Sequence, residues 1–433
     1  RSEPSERSAM PAATALIDAN NFYASCEQSL DPSLIGRPVV VLSNNDGCIV
    51  ARSAEARALG IAMGTPFFKA KRELERHGVV VRSSNYALYA DMSQRLMSLL
   101  ERQVEDLEIY SIDEAFARLS RPADGDLLAW GRHLRALIRR DLGLSICIGL
   151  GASKGQAKLA NRLAKVVAAH AGLFDLTRCS DPDRWLETIA IEDVWGIGRQ
   201  LAHWCRTRGV THARALRDMP SGVLRAKAGV VGVRLQRELQ GHSCLPLELT
   251  PAPKRETCVS RSFSRPITGL EELREAVATY VVRAAEKLRQ QHQRAAALSV
   301  YTRTSPFVPG FYSNTASTRL DLPSNDTQAL LNAALPLVER IFQPHRQLAK
   351  AGVLMQHLQS TDQLQQHLLV PCSAAEQQRR QALMATIDAL NRRYGRGTVQ
   401  WAACGLDPSW AMRRERLGRA ATTRLRDVPI VQA

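Results

Sequence analysis

No apolar run in the 433-residue chain approaches the ~20 residues needed to cross a bilayer. Residues 1–15 are polar and then small, so neither a membrane span nor a secretory leader is expected. They read instead as an N-terminal extension outside the fold, with Met10 as the candidate native start. C-x-x-C spacing is also absent. The nine cysteines are scattered and odd in number, which argues against a zinc ribbon or a disulfide framework and fits a reducing, cytoplasmic setting. Negative charge is short: 42 acidic residues against 58 lysines and arginines leave a net +16. A polyanionic partner is expected, nucleic acid first and an anionic membrane surface second. The length is too great for one core and implies several domains.

One stretch organises what is present. In Glu108-Ile109-Tyr110-Ser111-Ile112-Asp113-Glu114-Ala115-Phe116, two carboxylates sit between short runs of β-formers, which reads as strand, tight turn, strand. An isolated Asp-Glu pair is commonly a solvated turn; the apolar flanks place this one at the edge of a core. Leu16-Ile17-Asp18 is a second apolar run ending in an acid. Asp18 alone would serve as a helix N-cap. Delivered beside Asp113 and Glu114, it completes a three-carboxylate, oxygen-only site suited to Mg²⁺.

Three segments carry a resemblance. Asp18-Ala19-Asn20-Asn21-Phe22-Tyr23-Ala24-Ser25-Cys26-Glu27, Ser43-Asn44-Asn45-Asp46-Gly47-Cys48 and Tyr110-Ser111-Ile112-Asp113-Glu114-Ala115-Phe116 resemble the Y-family translesion DNA polymerases, and within them the UmuC group. The similarity runs from about Leu16 to near the C-terminus. It implies an α+β, multidomain right-hand polymerase. Residues 16–33 and 85–177 would form the palm and 34–84 small fingers. A helical thumb would span 178–245, a linker 246–256, and a little finger of β-α-β-β-α-β type 257–360. A UmuC-like tail would occupy 361–433.

The resemblance also implies roles. Asp18, Asp113 and Glu114, with the Ala19 carbonyl, would hold two Mg²⁺ ions. Asn21, Phe22, Tyr23, Arg57 and Lys165 would line the incoming nucleotide, with Lys158 a weaker second. Tyr23 would be the steric gate against a ribose 2′-hydroxyl. From the residues alone, Phe22 and Tyr23 read as core, Arg57 as a paired surface charge, and the lysines as solvated. Asp193-Val194-Trp195-Gly196-Ile197-Gly198-Arg199 reads as a helix-hairpin-helix whose Gly196 and Gly198 open backbone N–H groups to a DNA phosphate, and Gly229-Val230-Val231-Gly232 as a looser second one. Ser260, Arg261 and Ser262, on an expected edge strand, would meet template phosphates; as a bare charge, Arg261 would deter edge pairing.

The implied partners are primer-template DNA, a deoxynucleoside triphosphate, a UmuD′-like dimer, a RecA filament and the sliding clamp, in the cytoplasm at the nucleoid. Gln366-His367-Leu368-Leu369-Val370 stands where relatives carry a clamp-binding peptide, without its terminal aromatic. The implied activity is error-prone synthesis past damaged template in the SOS response. Two rivals are a catalytically silent polymerase-fold adaptor and a palm-fold nucleotidyl cyclase.

Overall fold

The computed structural model describes residues 12–120, 126–362, 374–406, 408–422 and 427–428. The chain divides into two compact units. One takes in the chain up to Ser43, Gly47–Pro251 and the chain from Arg416; the other takes in Asn44–Asp46 and Ala252–Glu415.

The first unit begins with strand β1 (Ala13–Ala19) and helix α1 (Phe22–Leu30). β2 (Val39–Leu42), β3 (Ile49–Arg52), α2 (Ala54–Ala58), α3 (Phe67–Arg76) and β4 (Val80–Ser83) follow. Their strands pair in the order β3-β2-β4 over a small core of Val40, Leu42, Ile49, Ile61 and Leu74. Next come α4 (Tyr86–Glu101), β5 (Asp106–Ile109), β6 (Glu114–Leu119), α5 (Leu127–Leu142), β7 (Ile146–Gly151), α6 (Lys154–Val166) and β8 (Leu173–Asp175). Five strands among the described residues form a sheet in the order β5-β6-β1-β7-β8. β1 is central and covered on both faces, which is why it is apolar almost throughout.

α6 lies directly on this sheet because β7 carries glycines where they are needed. A Cβ on Gly149 would overlap the backbone of Asn161 and Ala157, and one on Gly151 would come within 2.6 Å of the Ala157 amide nitrogen. That contact fixes the height of α6 above β1, and with it the lysines the helix presents.

Helices α7 (Pro182–Glu187), α8 (Arg199–Arg206), α9 (Ala213–Asp218) and α10 (Ser221–Leu239) pack round Leu186, Ile197, Cys205, Leu216 and Leu224. The expected hairpin differs in detail. A single 3₁₀ turn, Ile191–Asp193, precedes the Gly196 turn and α8 follows it. The second glycine pair lies inside α10, which breaks at Gly229 (φ 62°). A residue with a side chain rarely adopts that φ, so the glycine sets the break.

The second unit contains β9 (Thr257–Ile267), α11 (Leu270–Gln290), β10 (Gln293–Thr304), β11 (Ser313–Ser324), α12 (Thr327–Ile341), β12 (Leu348–Ser360) and α13 (Ala374–Tyr394). The β-α-β-β-α-β order is as expected, in an antiparallel sheet ordered β11-β10-β12-β9. Strands β10, β11 and β12 are longer than the hydrophobic alternation suggests, because their polar ends still find ladder partners. The tail as far as Glu415 belongs to this unit. Trp410 is buried between Phe263 and Tyr280, with ring centroids 6.3 and 5.9 Å away. Arg289 of α11 holds Asp388 of α13 through two hydrogen bonds of 2.7 and 2.8 Å. No helix among the described residues is long and apolar enough to cross a membrane. Residues 366–370, the clamp-peptide candidate, lie outside the described residues.

Gly149→Ala should cost more than about 3 kcal/mol of unfolding free energy, since backbone rather than a flexible side chain stands in the way. Gly222→Ala, with open space around it, should stay within about 0.5 kcal/mol of the parent. Urea denaturation of both variants checks this.

Candidate active site

The end of the sheet where β1 finishes and β6 begins brings two of the three acids together. In the antiparallel register, Asp18 lies opposite Glu114. Ala19 N donates to the Asp113 carbonyl at 2.9 Å, closing the ladder one step further. The hairpin before β6 is shaped by Ser111, whose Oγ accepts from the amides of Asp113 and Glu114 at 3.3 and 3.1 Å. The same hydroxyl donates to Asp113 Oδ1 at 2.7 Å.

Above this end of the sheet, α6 presents three lysines on one face, at spacings of four and seven residues. Lys165 Nζ is 2.6 Å from Asp18 Oδ1 and Lys158 Nζ is 2.7 Å from Glu114 Oε2. Lys158 also sits over the rings of Tyr110, Phe116 and Trp195, 4.6, 5.7 and 5.8 Å from their centroids. Lys154 is buried against Glu108 and reaches the Pro246 carbonyl at 2.9 Å.

Electrostatics divides the acid pair. Burial pushes the Asp18 carboxyl up to about 7, helped by its hydrogen bond to Glu114 and opposed by Lys165. Burial also pushes Glu114 upward, but hydrogen bonds from Asp18 and Lys158 outweigh it and hold Glu114 below the usual range. Two adjacent carboxylates cannot both ionise cheaply, so ionisation of the second, Asp18, is delayed to about 7.

The expected three-acid cluster is not assembled. Among the described residues, no three His, Cys, Asp or Glu side chains gather closely enough to hold a metal ion. The Asp113 carboxylate turns to Ser111, and lysine ammonium groups take the cationic positions beside the other two acids. The chemistry of the donor set still fits a hard divalent cation: its side chains are carboxylates, and the charges now balancing two of them are positive ions on a mobile stem.

The remaining expected residues are placed as follows. Asn21 is exposed in the left-handed region (φ 50°) at the start of α1; it is the N-cap, without a side-chain cap bond, so Asp18 is not one. Phe22 is buried, as its core reading expected. Tyr23 is half-buried and stacks on Tyr89. Arg57 is exposed in the last turn of α2. Gly196 and Gly198 are exposed on either side of buried Ile197, and Trp195 Nε1 donates to the Tyr110 hydroxyl at 3.3 Å. Ser260, Arg261 and Ser262 lie on edge strand β9, with Arg261 and Ser262 exposed and Arg261 Nη1 turned back to the Ser260 carbonyl at 2.8 Å. Glu108 and Lys154 carry no local signal in the sequence. The regular lysine spacing on α6 was the signal available for Lys158 beside Lys165.

Solved structures share this fold. A chimaeric Y-family DNA polymerase built from Dbh and Dpo4 segments superposes with a TM-score of 0.63 at 18% identity, over 80% of this chain and 99% of that one. An insertion ternary complex of Dbh DNA polymerase gives 0.53 at 18% identity, over 79% and 98%. The class is therefore a multidomain α+β polymerase fold. The sequence signature of the impB/mucB/samB family matches residues 17–162, and that of the family's C-terminal domain matches 254–368. Residues 381–431 match a domain of unknown function, DUF4113. Protein UmuC of Salmonella typhimurium is 42% identical over 96% of this chain and 99% of its own length. Protein SamB of Salmonella typhimurium is 40% identical over 96% and 98%. DNA polymerase IV of Corynebacterium diphtheriae is 32% identical over 64% of this chain and 60% of its own. The chain belongs to the impB/mucB/samB family of UmuC-like Y-family DNA polymerases.

The raised Asp18 group has a signed consequence for the metal-free protein. A carboxyl that holds its proton more tightly when folded stabilises the fold below the unfolded-chain pKa of ~4, and that contribution drains away as pH rises toward about 7. Between pH 4.5 and 7.5 in chelator, the parent should therefore lose stability relative to Asp18→Asn, by on the order of 4 kcal/mol at most. Urea melts of the two proteins across that range measure it; parallel curves would contradict the buried, protonated Asp18.

Proposed function

We propose that the chain is an error-tolerant, template-directed DNA polymerase that extends primers past damaged template as part of an SOS-type response. The observation that carries this reading is the Asp18–Glu114 pair at the end of the sheet beneath the lysine face of α6. Asp18, Asp113, Glu114 and the Ala19 carbonyl would hold two Mg²⁺ ions. Such ions, when bound, acidify a primer 3′-hydroxyl and neutralise a triphosphate during in-line displacement.

The chain's own residues supply the rest. Lys165 and Lys158 would exchange their carboxylate partners for triphosphate oxygens, where charge-assisted hydrogen bonds are strongest. Arg57 would approach the same phosphates from the β3-β2-β4 subdomain, the fingers of this reading. Asn21 and Phe22 would border the nucleotide. The Tyr23 ring would occupy the space a ribose 2′-hydroxyl needs, rejecting ribonucleotides by clash. The backbone amides at Gly196 and Gly198 would meet a duplex phosphate without reading sequence, and Ser260, Arg261 and Ser262 would do so on the template strand. Palm, thumb, linker and little finger would follow the boundaries given above. A UmuD′-like dimer, a RecA filament and the sliding clamp are the partners this reading implies, at the nucleoid.

Asp113→Ala and Glu114→Ala should each lower Mg²⁺-dependent primer extension by about a thousandfold while leaving primer-template affinity within a few-fold. Extension gels on undamaged and abasic templates, with gel-shift binding alongside, check both parts. Extension retained by either variant would refute the two-ion site at these acids, whereas no extension by the parent would favour the silent adaptor. Affinity for primer-template should fall linearly on a log–log plot as salt rises, as phosphate-dominated binding requires.

A further inference from the structure

Three tyrosines cluster where the first turns of α1 and α4 meet. The Tyr23 ring lies flat on the Tyr89 ring, with centroids 4.3 Å apart and planes 14° from parallel. Tyr86 meets both edge-on, at 6.2 Å and 84° to Tyr23 and at 6.3 Å and 82° to Tyr89. Tyr89 is wholly buried on α4, and its hydroxyl donates to Glu27 Oε1 at 2.7 Å. Glu27 is 4% exposed and stands four residues after Tyr23 on α1, on the same side of the helix. Its other oxygen faces Arg82 Nε at 3.9 Å, longer than a hydrogen bond. A buried carboxylate whose short contact is one phenol is an expensive way to fill a core, and neither the acid pair nor the lysines on α6 use it.

We propose that Glu27 and Tyr89 are positioning residues for Tyr23: Glu27 fixes the Tyr89 hydroxyl, and the Tyr89 ring is the plate that stops Tyr23 from yielding. The inference rests on the reading of Tyr23 as the barrier to a 2′-hydroxyl. A steric barrier rejects only as well as it is held, because a ring free to retreat by about an ångström relieves the clash it was placed to create. Stacking fixes the ring's plane but leaves it free to slide. Pinning the plate through its hydroxyl, from the helix that carries the barrier, closes that freedom. Glu27, Tyr89 and Tyr23 then form a closed loop of contacts between α1 and α4.

The test is single-nucleotide insertion by the full-length chain with Mg²⁺, using dCTP and rCTP opposite template dG. It reads kcat and KM for each nucleotide and the ratio of their kcat/KM values. Ternary-complex dissociation constants on a dideoxy-terminated primer give the same ratio without turnover. Tyr89→Leu should lower the deoxy-to-ribo ratio by about tenfold, chiefly through a lower KM for rCTP, with kcat for dCTP unchanged. Tyr89→Phe and Glu27→Ala should lower it about threefold, and Glu27→Gln, whose carbonyl still accepts from the phenol, should restore the parent ratio. Tyr23→Ala combined with Tyr89→Leu should discriminate no worse than Tyr23→Ala alone, since the plate acts only through the ring it supports. If Tyr89→Leu does not fold, Tyr89→Phe and Glu27→Ala carry the same test. A parent ratio in these variants alongside a lost ratio in Tyr23→Ala would overturn the positioning role and leave the barrier standing. A parent ratio in Tyr23→Ala itself would remove the barrier, and this proposal with it. An equal loss for both nucleotides would mark Glu27 and Tyr89 as structural and also overturn it.

Discussion

Buried negative charge at the end of β1 needs positive charge from somewhere, and α6 supplies it. Asp18 and Glu114 are forced together by strand register, not by attraction. Removing two carboxylates from water costs several kcal/mol unless each finds a partner. Lys165 and Lys158 provide those partners, and the glycines of β7 let α6 sink low enough for them to reach. The close approach of helix to sheet is thus an electrostatic requirement as well as a packing one. In the proposed polymerase, the same lysines face a choice. While they neutralise the acids they are not available to phosphate; a cation among the acids and a triphosphate beside the helix would satisfy every charge at once.

This exchange bears on why the third acid stands apart. A further carboxylate beside the Asp18–Glu114 pair would add repulsion without adding a cation, so Asp113 finds its hydrogen bond at Ser111 instead. Ser111 serves twice, accepting from two hairpin amides and donating to Asp113. The carboxylate it holds remains on the hairpin that carries Glu114.

Much of this could be read from the residues because the chemistry is local. Asp18 closes an apolar run, Asp113 and Glu114 sit between β-formers, and the lysines of α6 repeat at helical spacing. The β-α-β-β-α-β unit was readable because its helices are long and periodic and its edge strand alternates. Other features left no local trace. Lys154 finds Glu108 46 residues away, and Tyr89 finds Glu27 at a separation of 62. Neither pair differs in the sequence from ordinary surface and core residues, and only the packing of α6 and α4 brings them together. The ends of β10, β11 and β12 were missed for a related reason. Polar residues on a strand's outer face look like loop until a neighbouring strand pairs them. The tail was legible only as a segment, not that Trp410 would enter the α11 core while Asp388 tied α13 to the same helix.

Stability alone does not account for the acid–lysine cluster. Well-packed apolar residues in place of a buried ion pair are commonly neutral or stabilising, whereas deleting one partner leaves an uncompensated charge. The sheet face below α6 already has apolar neighbours in Leu16 and Phe116, both buried against Ala157 of α6. A fold under pressure only to persist could extend that core by one layer. It instead keeps two acids, one of them holding its proton to near neutrality, and two ammonium groups that hydrocarbon could replace. A catalytically silent relative would be free to lose this arrangement. A chain that must admit a divalent cation and a polyphosphate to the same end of the sheet has to carry it, at a cost met by the packing of β7 against α6.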